Sequence, residues 1–439
     1  MELAGKRVVV VGMARSGVAA LRLLRQKGAV VRAVDEKPMG EVDGVTVEFQ
    51  TDAAFRDAEL VVISPGVPAD LDVLAPVRAR GVPIIGELEL AAPFLKGKTI
   101  GITGSNGKTT TTALVGHILQ QSGIASQVGG NIGTPPASMV ECSRPEQWNV
   151  LELSSFQLET IQSFHANVGV CLNVTPDHLD RHHTFESYAA AKRRLFETQS
   201  PAEFAVLNAD DPTCVAFAGH TKAQVLWFSL ERRVTRGAWL DDDELRLDGE
   251  PFMPARDIPL RGRHNIENTL AASIAAHLAG ASLPRIAGAV RSFPGVEHRL
   301  EFVREIGGVS YYNDSKATNV DATLKAIDAF PGGLWIILGG KDKDSDYTVL
   351  RGPLHAKAKA ALLIGAAAHK IASQLGDRAV PIFDCGTLAA AIEQAYRAAE
   401  PGETVLLAPA CASFDQFDNY EHRGRVFKEL VHALGEGTR

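Results

Sequence analysis

Apolar and polar residues follow one another along this chain in blocks that predict strands and then helices. The first block is an apolar run from Val8 to Val11, followed by a turn from Gly12 to Gly17 and a segment of helical spacing from Val18 to Lys27. A second strand is predicted from Ala29 to Val34, and it ends at Asp35. Buried strands that alternate with helices are typical of a parallel sheet covered on both faces. The chain is therefore predicted to open with a doubly wound α/β unit.

A glycine-rich loop follows another apolar run, which begins at Ile100. Its residues, in order, are Gly104, Ser105, Asn106, Gly107, Lys108, Thr109 and Thr110. The two glycines can adopt positive φ, which lets backbone N–H groups turn toward an anion, and the lysine adds a mobile positive charge. Apolar positions at helical spacing follow and end near Gly123. The loop is predicted to hold a phosphate at a helix N-terminus.

This loop matches the P-loop pattern G-x-x-x-x-G-K-[ST] only in part, because the first glycine of that pattern would fall on Ile102. An ordinary strand-to-helix turn is the alternative. Four consecutive threonines begin at Thr109, and β-branched residues are poor helix formers. Packing or a ligand must therefore hold the start of the helix, and the Thr109 hydroxyl is available to a metal.

The composition indicates a globular protein of several domains. The chain has 439 residues, 45% of them hydrophobic, and a formal net charge of −7. This length predicts about three domains, and the negative charge argues against general nucleic-acid binding. The five cysteines form no C-x-x-C pair, which argues against a disulfide framework or a zinc site. No apolar stretch reaches the ~18 residues of a membrane span. We expect a cytoplasmic monomer without membrane insertion.

The first predicted domain covers residues 1–92. Its glycine turn reads G-x-x-x-x-G and not G-x-G-x-x-G, so nicotinamide binding is weakly supported, while some nucleotide-like ligand is retained. Asp35 is either a ligand residue or an ordinary residue of the turn that ends its strand. A further buried strand over Val61–Ile63 runs into Gly66, which can border the same crevice.

The second predicted domain covers residues 93–292 and carries an acid inside an apolar strand. Glu152 interrupts the run from Val150 to Leu153, where an unpaired carboxylate would be costly. We favour a magnesium role for it over a surface-facing position on an edge strand. A cluster of acids and imidazoles in Leu172–His183 favours a metal or phosphate site, although His182 and His183 can be merely solvated.

A helix is predicted from Phe185 to Glu197, and it carries three consecutive basic residues, Lys192 to Arg194. Composition alone favours a solvated helix face for all three. The third predicted domain, residues 293–439, alternates strands and helices again. In this domain, Asp314 and Lys316 can simply be capping and solvent-exposed residues at the start of the next helix.

Three motifs together resemble the Mur ligase family, in which an ATP-binding domain joins an amino acid to a nucleotide-linked cell-wall precursor. They are Gly104–Thr109, Asp177–Asp180 and Arg263–Asn268. The resemblance covers nearly the whole chain and implies three α/β domains: a Rossmann-like N-terminal domain, a central P-loop mononucleotide-binding domain and a Rossmann-like C-terminal domain.

The resemblance also implies roles for individual residues. ATP would contact the whole loop from Gly104 to Thr110 and three further residues, Asn268, Arg299 and Asp314. For Arg299 an interdomain salt bridge is the alternative, and for Asn265 both helix capping and ligand contact stay open. Two magnesium ions are implied, one near Thr109 and Glu152 and the other near His178 and Lys192, with Lys192 carbamylated. The catalytic residues implied are Lys108, Glu152, His178 and Lys192.

For the other substrates the resemblance implies two further groups of residues. The UDP-linked substrate would contact Arg15, Ser16, Asp35, Glu36, Gly66, Asn131 and His178. The amino acid would contact Lys316, Thr318, Lys343, Ser413 and Tyr420, with Lys341 as a competitor for the position assigned to Lys343.

Two segments, Glu152–Glu159 and Pro409–Phe417, resemble the branch of the family that adds D-glutamate. This resemblance implies ligation of D-glutamate to UDP-N-acetylmuramoyl-L-alanine through an acyl phosphate. The alternatives are a sibling ligase for another amino acid, a folylpolyglutamate-type ligase and a non-enzymatic nucleotide sensor.

Overall fold

The structure is a computed structural model that describes residues 1–37, 40–376 and 380–435. These residues divide into two compact units. The first contains Met1–Asp257 and Glu267–Phe293, and the second contains Ile258–Ile266 and the chain from Pro294 onward.

The first sheet lies in the first unit and has six strands in the order β3-β4-β2-β1-β5-β6. Its strands are β1 Arg7–Val11, β2 Val30–Asp35, β3 Glu41–Val42, β4 Val45–Phe49, β5 Leu60–Ile63 and β6 Ile84–Gly86. The central strand β1 runs parallel to β2 and β5. The carboxyl ends of these three strands therefore meet at one edge, where the turns that follow them come together.

The second sheet also lies in the first unit and has nine strands in the order β15-β14-β13-β12-β11-β10-β7-β9-β8. Its strands are β7 Lys98–Thr103, β8 Ser126–Gly130, β9 Trp148–Glu152, β10 Val168–Cys171, β11 Phe204–Asn208, β12 Gln224–Ser229, β13 Gly237–Asp241, β14 Glu244–Leu247 and β15 Glu250–Pro254. Strand β7 is parallel to both its neighbours, β9 and β10. The glycine-rich loop after β7 thus emerges between the ends of β9 and β10.

The third sheet lies in the second unit and has six strands in the order β16-β17-β21-β18-β19-β20. Its strands are β16 Glu301–Ile306, β17 Val309–Asn313, β18 Leu334–Gly339, β19 Ala358–Ile364, β20 Ile382–Gly386 and β21 Thr404–Leu407. Among the described strands of this sheet, only the edge strand β16 pairs antiparallel. The loops after β17, β21 and β18 therefore emerge side by side.

Helices cover these sheets. They are α1 Arg15–Gln26, α2 Ala75–Ala79, α3 Glu87–Ala91, α4 Lys108–Gln121, α5 Pro136–Met139, α6 Ser155–Leu158, α7 Leu179–His182, α8 Phe185–Glu197, α9 Pro212–Phe217, α10 Arg263–Leu278, α11 Leu283–Arg291, α12 Val320–Asp328, α13 Arg351–Lys357, α14 Ala368–Leu375, α15 Leu388–Ala398 and α16 Tyr420–Ala433. Short 3₁₀ segments lie at Asp52–Phe55, Asp72–Leu74, Ala92–Phe94, Ala218–His220, Ala255–Asp257 and Thr348–Leu350. The alternation of strands and helices that the hydrophobic pattern predicts is present in all three parts of the chain.

Candidate active site

The glycine-rich loop joins β7 to α4 and has the backbone geometry that its glycines predict. Gly107 has φ +86° and Gly104 has φ +150°, a region that L side chains rarely adopt. The ammonium of Lys108 folds back over the loop and donates to the carbonyl oxygens of Gly104 at 2.9 Å and Ser105 at 2.8 Å. A Cβ on Gly107 would lie only 2.3 Å from Oδ1 of Asn268. The structure thus brings the predicted ATP contact Asn268 directly against the loop.

Side chains of the neighbouring segment hold the loop in shape. The Ser105 hydroxyl donates to the carbonyl of Thr175 at 2.9 Å and lies 3.0 Å from the hydroxyl of Tyr188. The backbone N–H of Asn106 donates to Oδ1 of Asn173 at 2.9 Å. The loop conformation is therefore fixed by protein contacts. Sequence reasoning missed Asn173 and Tyr188, although the polar cluster after β10 was a signal for the first.

Glu152 ends strand β9, and its carboxylate lies beside the start of α4. It is 1% exposed. Its Oε2 accepts from the Thr109 hydroxyl at 2.7 Å, and its Oε1 accepts from Nδ2 of Asn131 at 2.9 Å. In the sheet, Glu152 pairs with Ile102 on one side and with Gly130 on the other. The alternative of a surface-facing edge position is therefore wrong, and the strand register explains why these residues from three segments meet.

Lys192 is buried, so the prediction of a solvated helix face is wrong for this residue. It is 1% exposed, and its amine donates to the carbonyl of Gly104 at 2.8 Å. Its nitrogen also lies 4.4 Å from the ring centre of Tyr188. Burial, aided by the positive charge of Lys108, lowers the pKa of Lys192 to about 7. Two lysines, 192 and 108, thus share one loop carbonyl.

His178 lies at the start of α7 in a left-handed conformation, with φ +53°. Its Nε2 lies 3.6 Å from an oxygen of Asp177, and its ring contacts Phe156 edge-on with 4.9 Å between ring centres. His182 stacks on the same Phe156 ring, is 7% exposed, and lies 2.9 Å from the Ser155 hydroxyl through Nε2. Burial lowers the pKa of His182 to about 4. The expectation that His182 is merely solvated is therefore wrong. The imidazole of His182 packs against the Phe156 ring, which also contacts His178.

The protein atoms near the loop can bind a magnesium ion only if a bound ligand supplies further coordinating oxygens. Within residues 1–37, 40–376 and 380–435, no three His, Cys, Asp or Glu side chains cluster as a metal cage. Thr109 and Glu152 offer a hydroxyl and a carboxylate, and magnesium is commonly bound by one or two carboxylates completed by substrate phosphates and water. As an amine donor, Lys192 does not fit a metal, because a ligand must present a lone pair rather than a proton.

In the first sheet, the predicted substrate residues lie near the meeting turns of β1, β2 and β5. The Asp35 carboxylate accepts from the backbone N–H of Met13 at 2.7 Å and of Lys37 at 3.1 Å. Asp35 therefore supports the turn after β1. Of the other predicted contacts in this domain, Arg15, Glu36 and Gly66 are exposed, and Ser16 is half-buried.

In the second unit, Asp314 follows β17 and is 1% exposed. Its Oδ1 lies 3.9 Å from a guanidinium nitrogen of Arg299. Both residues belong to the second unit, so this ion pair is not the interdomain salt bridge considered for Arg299. Burial raises the pKa of Asp314 to about 6 despite this guanidinium. A cavity of about 470 Å³ adjoins Arg299 and is also lined by Arg261, Asn265 and Tyr312.

The predicted amino-acid residues lie on adjacent loops of the third sheet. The ammonium of Lys316 donates to the hydroxyl of Tyr420 at 3.0 Å and lies 4.8 Å from the centre of its ring. Lys341 pairs through its backbone with Ala412, next to the buried Ser413. Thr318 and Lys343 are half-buried on the loops after β17 and β18. The geometry leaves the choice between Lys341 and Lys343 open.

These features define a class, the P-loop nucleotide-binding proteins with largely parallel α/β sheets. Family models match most of the chain: Mur ligase MurD-like, N-terminal domain at residues 6–86, Mur ligase middle domain at residues 102–276, and Mur ligase, glutamate ligase domain at residues 298–411. The chain belongs to the Mur ligase family. It is therefore an ATP-dependent ligase with the three-domain α/β fold of that family, which confirms the prediction made from its motifs.

Similar proteins agree with this assignment. The UDP-N-acetylmuramoylalanine–D-glutamate ligase of Solibacter usitatus is 62% identical over 439 residues, covering 99% of each chain. The protein of the same name from Acidobacterium capsulatum is 53% identical over 450 residues, covering 99% of this chain and 97% of its own. The structure of a pseudomurein peptide ligase type C from Methanothermus fervidus is similar with a TM-score of 0.62 and 20% identity, over 98% of this chain and 99% of that one. No helix in the described part of the chain is long and apolar enough to cross a membrane.

Proposed function

We propose that this protein ligates D-glutamate to UDP-N-acetylmuramoyl-L-alanine with ATP, a step in the synthesis of peptidoglycan precursors. The observation that carries this proposal is the full-length 62% identity to a ligase named for that reaction. The loop geometry supports it independently, since Lys108, Thr109 and Glu152 converge at the start of α4 as the transfer of a phosphoryl group requires.

The chain's own residues bind and orient the reactants. Lys108 leaves its contacts with loop carbonyls to stabilise the phosphoryl group of ATP as it passes to the substrate carboxylate. The N–H groups at the start of α4 hold the remaining phosphates. The acyl phosphate is then attacked by the amine of D-glutamate, which yields an amide and inorganic phosphate. This route needs no nucleophile from the protein, because the substrate carboxylate attacks the phosphorus.

In this proposal ATP contacts Asn268 against the loop, Arg299 beside the cavity of the second unit, and Asp314, which pairs with Arg299. Arg15, Ser16, Asp35, Glu36, Gly66, Asn131 and His178 contact the UDP-linked substrate. Lys316, Thr318, Lys343, Ser413 and Tyr420 contact D-glutamate. A bound amino acid with two carboxylates suits a site with several ammonium groups.

Thr109 and Glu152 would hold a magnesium ion together with ATP oxygens. When bound, the ion would neutralise charge between the phosphates and the attacking carboxylate. A second ion near His178 requires Lys192 to be carbamylated, which would turn an amine donor into an anionic oxygen ligand. Addition of CO₂ consumes the neutral amine and releases a proton, and burial of Lys192 favours that neutral form.

Carbamylation stays a prediction that a direct measurement can decide. Protein equilibrated with ¹³C-bicarbonate is expected to give a carbamate carbon resonance that is absent in Lys192→Arg. A spectrum without that resonance would leave Lys192 as an amine that supports Gly104 and would remove the second ion from the proposal.

The domain boundaries 1–92, 93–292 and 293–439, the cytoplasmic location and the monomeric state also belong to this proposal. The division of the described residues between Phe293 and Pro294 supports the second of these boundaries. Sedimentation of the purified chain measures its mass in solution and thereby tests the predicted monomeric state.

The reaction is tested by measuring phosphate release from ATP with UDP-N-acetylmuramoyl-L-alanine and a panel of D- and L-amino acids. Release that depends on both the nucleotide substrate and D-glutamate is expected. Equal or faster turnover with another amino acid would indicate a sibling ligase. ATP binding without turnover on any amino acid would instead indicate a nucleotide sensor.

A further inference from the structure

Arg423 is a fully buried cation in α16, and none of the functions above uses it. It is 0% exposed. Burying a charge is costly unless it is paired or hydrogen-bonded. Within the described part of the chain, no carboxylate lies within ion-pair distance of its guanidinium. The burial of this cation without a paired carboxylate therefore needs another explanation.

The guanidinium donates to two loops of the third sheet. Its Nε donates to the Ser315 hydroxyl at 3.0 Å, and one terminal nitrogen donates to the Ser315 carbonyl at 2.8 Å. Both terminal nitrogens donate to the carbonyl of Cys411, at 3.2 and 3.3 Å, and one reaches that of Ala412 at 3.4 Å. Every acceptor is a neutral oxygen. A planar group with five donors suits this set of acceptors, whereas an ammonium has three donors and no fork.

A third loop packs against the same group. Gly340, which follows β18, has φ +133°, and a Cβ there would lie 2.2 Å from the Ala412 carbonyl and 3.2 Å from Arg423. We call segments 315–319, 340–347 and 408–419 the three amino-acid loops. They follow β17, β18 and β21, which are neighbours in the sheet. Arg423 thus lies at the point where the three loops converge.

The three amino-acid loops carry the residues assigned to D-glutamate. Lys316 and Thr318 lie on the first loop, Lys343 on the second and Ser413 on the third. Tyr420 begins the helix that contains Arg423, and its carbonyl accepts from the Ser315 hydroxyl at 2.8 Å. One buried side chain is therefore connected to every segment of this site.

We propose that Arg423 is a positioning residue that fixes the relative arrangement of the three amino-acid loops and thereby sets the affinity for D-glutamate. This inference rests on the proposed function. Arg423 does not touch the amino acid. It acts by cross-linking loop carbonyls that would otherwise have no common donor, so that the ammonium and hydroxyl groups on the loops are held for a ligand before it arrives.

The test compares Arg423→Lys with Arg425→Lys, a matched control on the exposed side of the same helix. Steady-state phosphate release is measured while ATP, the UDP-linked substrate and D-glutamate are varied in turn. For Arg423→Lys, KM for D-glutamate is expected to rise on the order of 10–100-fold, because a displacement of about 1 Å in a site has effects of that size. KM for ATP and for the UDP-linked substrate is expected to stay at the wild-type value. The control is expected to change none of the three.

A second variant keeps the inference testable if the first is poorly folded. Ser315→Ala removes the hydroxyl that accepts from Nε of Arg423 and leaves the guanidinium in place. It is expected to raise KM for D-glutamate selectively, and the double variant is expected to be no worse than Arg423→Lys, since both changes break one connection. Additive effects would contradict that shared role.

Two results would overturn the inference. One is an unchanged KM for D-glutamate in a folded Arg423→Lys protein. The other is an equal loss toward all three substrates together with a lower Tm, which is the behaviour of a residue that only stabilises the fold. If the wild-type protein itself shows no release that depends on D-glutamate, the proposed function fails, and that outcome is separate from either result.

Discussion

Replacement of Gly107 by alanine tests whether the geometry of the loop is needed for ATP. The residue has φ +86°, and an added Cβ would lie 2.3 Å from Oδ1 of Asn268 and 3.1 Å from a methyl of Leu172. The left-handed conformation costs an L-residue about 1–2 kcal/mol. The contact with Asn268 is more than 1 Å shorter than van der Waals contact, so that side chain or the loop must move by about that distance.

A matched control exists at the other end of the same helix. Gly123, just after α4, has φ +73°, and an added Cβ there would have nothing within 4 Å. Gly123→Ala thus carries the conformational cost without the collision. Both variants are expected to lose about 1–2 kcal/mol of stability, which lowers Tm by ~2–8 °C for a domain of about 150–250 residues. Only Gly107→Ala is expected to lose ATP affinity as well.

The assay measures kcat/KM for ATP and the rise in Tm that saturating ATP produces. A displacement of about 1 Å at the loop predicts a loss of kcat/KM on the order of 10²-fold for Gly107→Ala. The same variant should lose most of the ATP-dependent increase in Tm, because that increase follows the affinity. Wild-type values of both quantities in Gly107→Ala would refute the reasoning, because they would show that Asn268 and the loop adjust at no cost.

Three further predictions concern buried or paired side chains. Burial raises the pKa of Glu87 to about 8. Its folded form thus holds a proton that the unfolded chain releases above pH ~4.5, and stability falls between these values. Glu87→Gln should therefore raise the free energy of unfolding little at pH 5 and by up to a few kcal/mol at pH 8, with a matching rise in Tm. Parallel profiles of Tm against pH for the variant and the wild-type protein would contradict this. Lys192→Ala should abolish phosphate release, with partial recovery in bicarbonate or millimolar short-chain carboxylate, whereas full activity would exclude an essential role. Tyr420→Phe removes one acceptor for Lys316 and should raise KM for D-glutamate by no more than ~10-fold, since the ring remains; complete loss of turnover would contradict this.

Local patterns predicted the main elements of the site well. The helix predicted over Phe185–Glu197 has those bounds, and the helix after the glycine-rich loop begins at Lys108, next to the predicted Thr109. Several strands were not predicted, including β11 to β15 of the second sheet and β16 and β20 of the third. Strands β16 and β20 lie at the edges of the third sheet, and their segments, EFVREI and IFDCG, mix polar and apolar residues because one side is exposed.

Burial of charged residues was predicted poorly. Lys192 stands first of three consecutive basic residues, and successive positions on a helix point about 100° apart. The sequence does not say which of the three faces the core, and only the packing of α8 against the loop shows that Lys192 does. Arg423 gave no signal at all, because a charged residue in a helix rich in charges is ordinarily solvated.

The sequence by itself determined the chemistry of the glycine-rich loop, since positive φ at glycine, a following lysine and the start of a helix are properties of adjacent residues. It also indicated, from the cost of a buried carboxylate, that Glu152 needs a partner. Only the tertiary structure decided which partners it has. The order of the strands puts β9 beside β7 and β8, and the ends of parallel strands then bring Thr109 and Asn131 to the same carboxylate. Strand order depends on contacts between segments distant in the chain, which a local pattern of hydrophobic and polar positions does not encode.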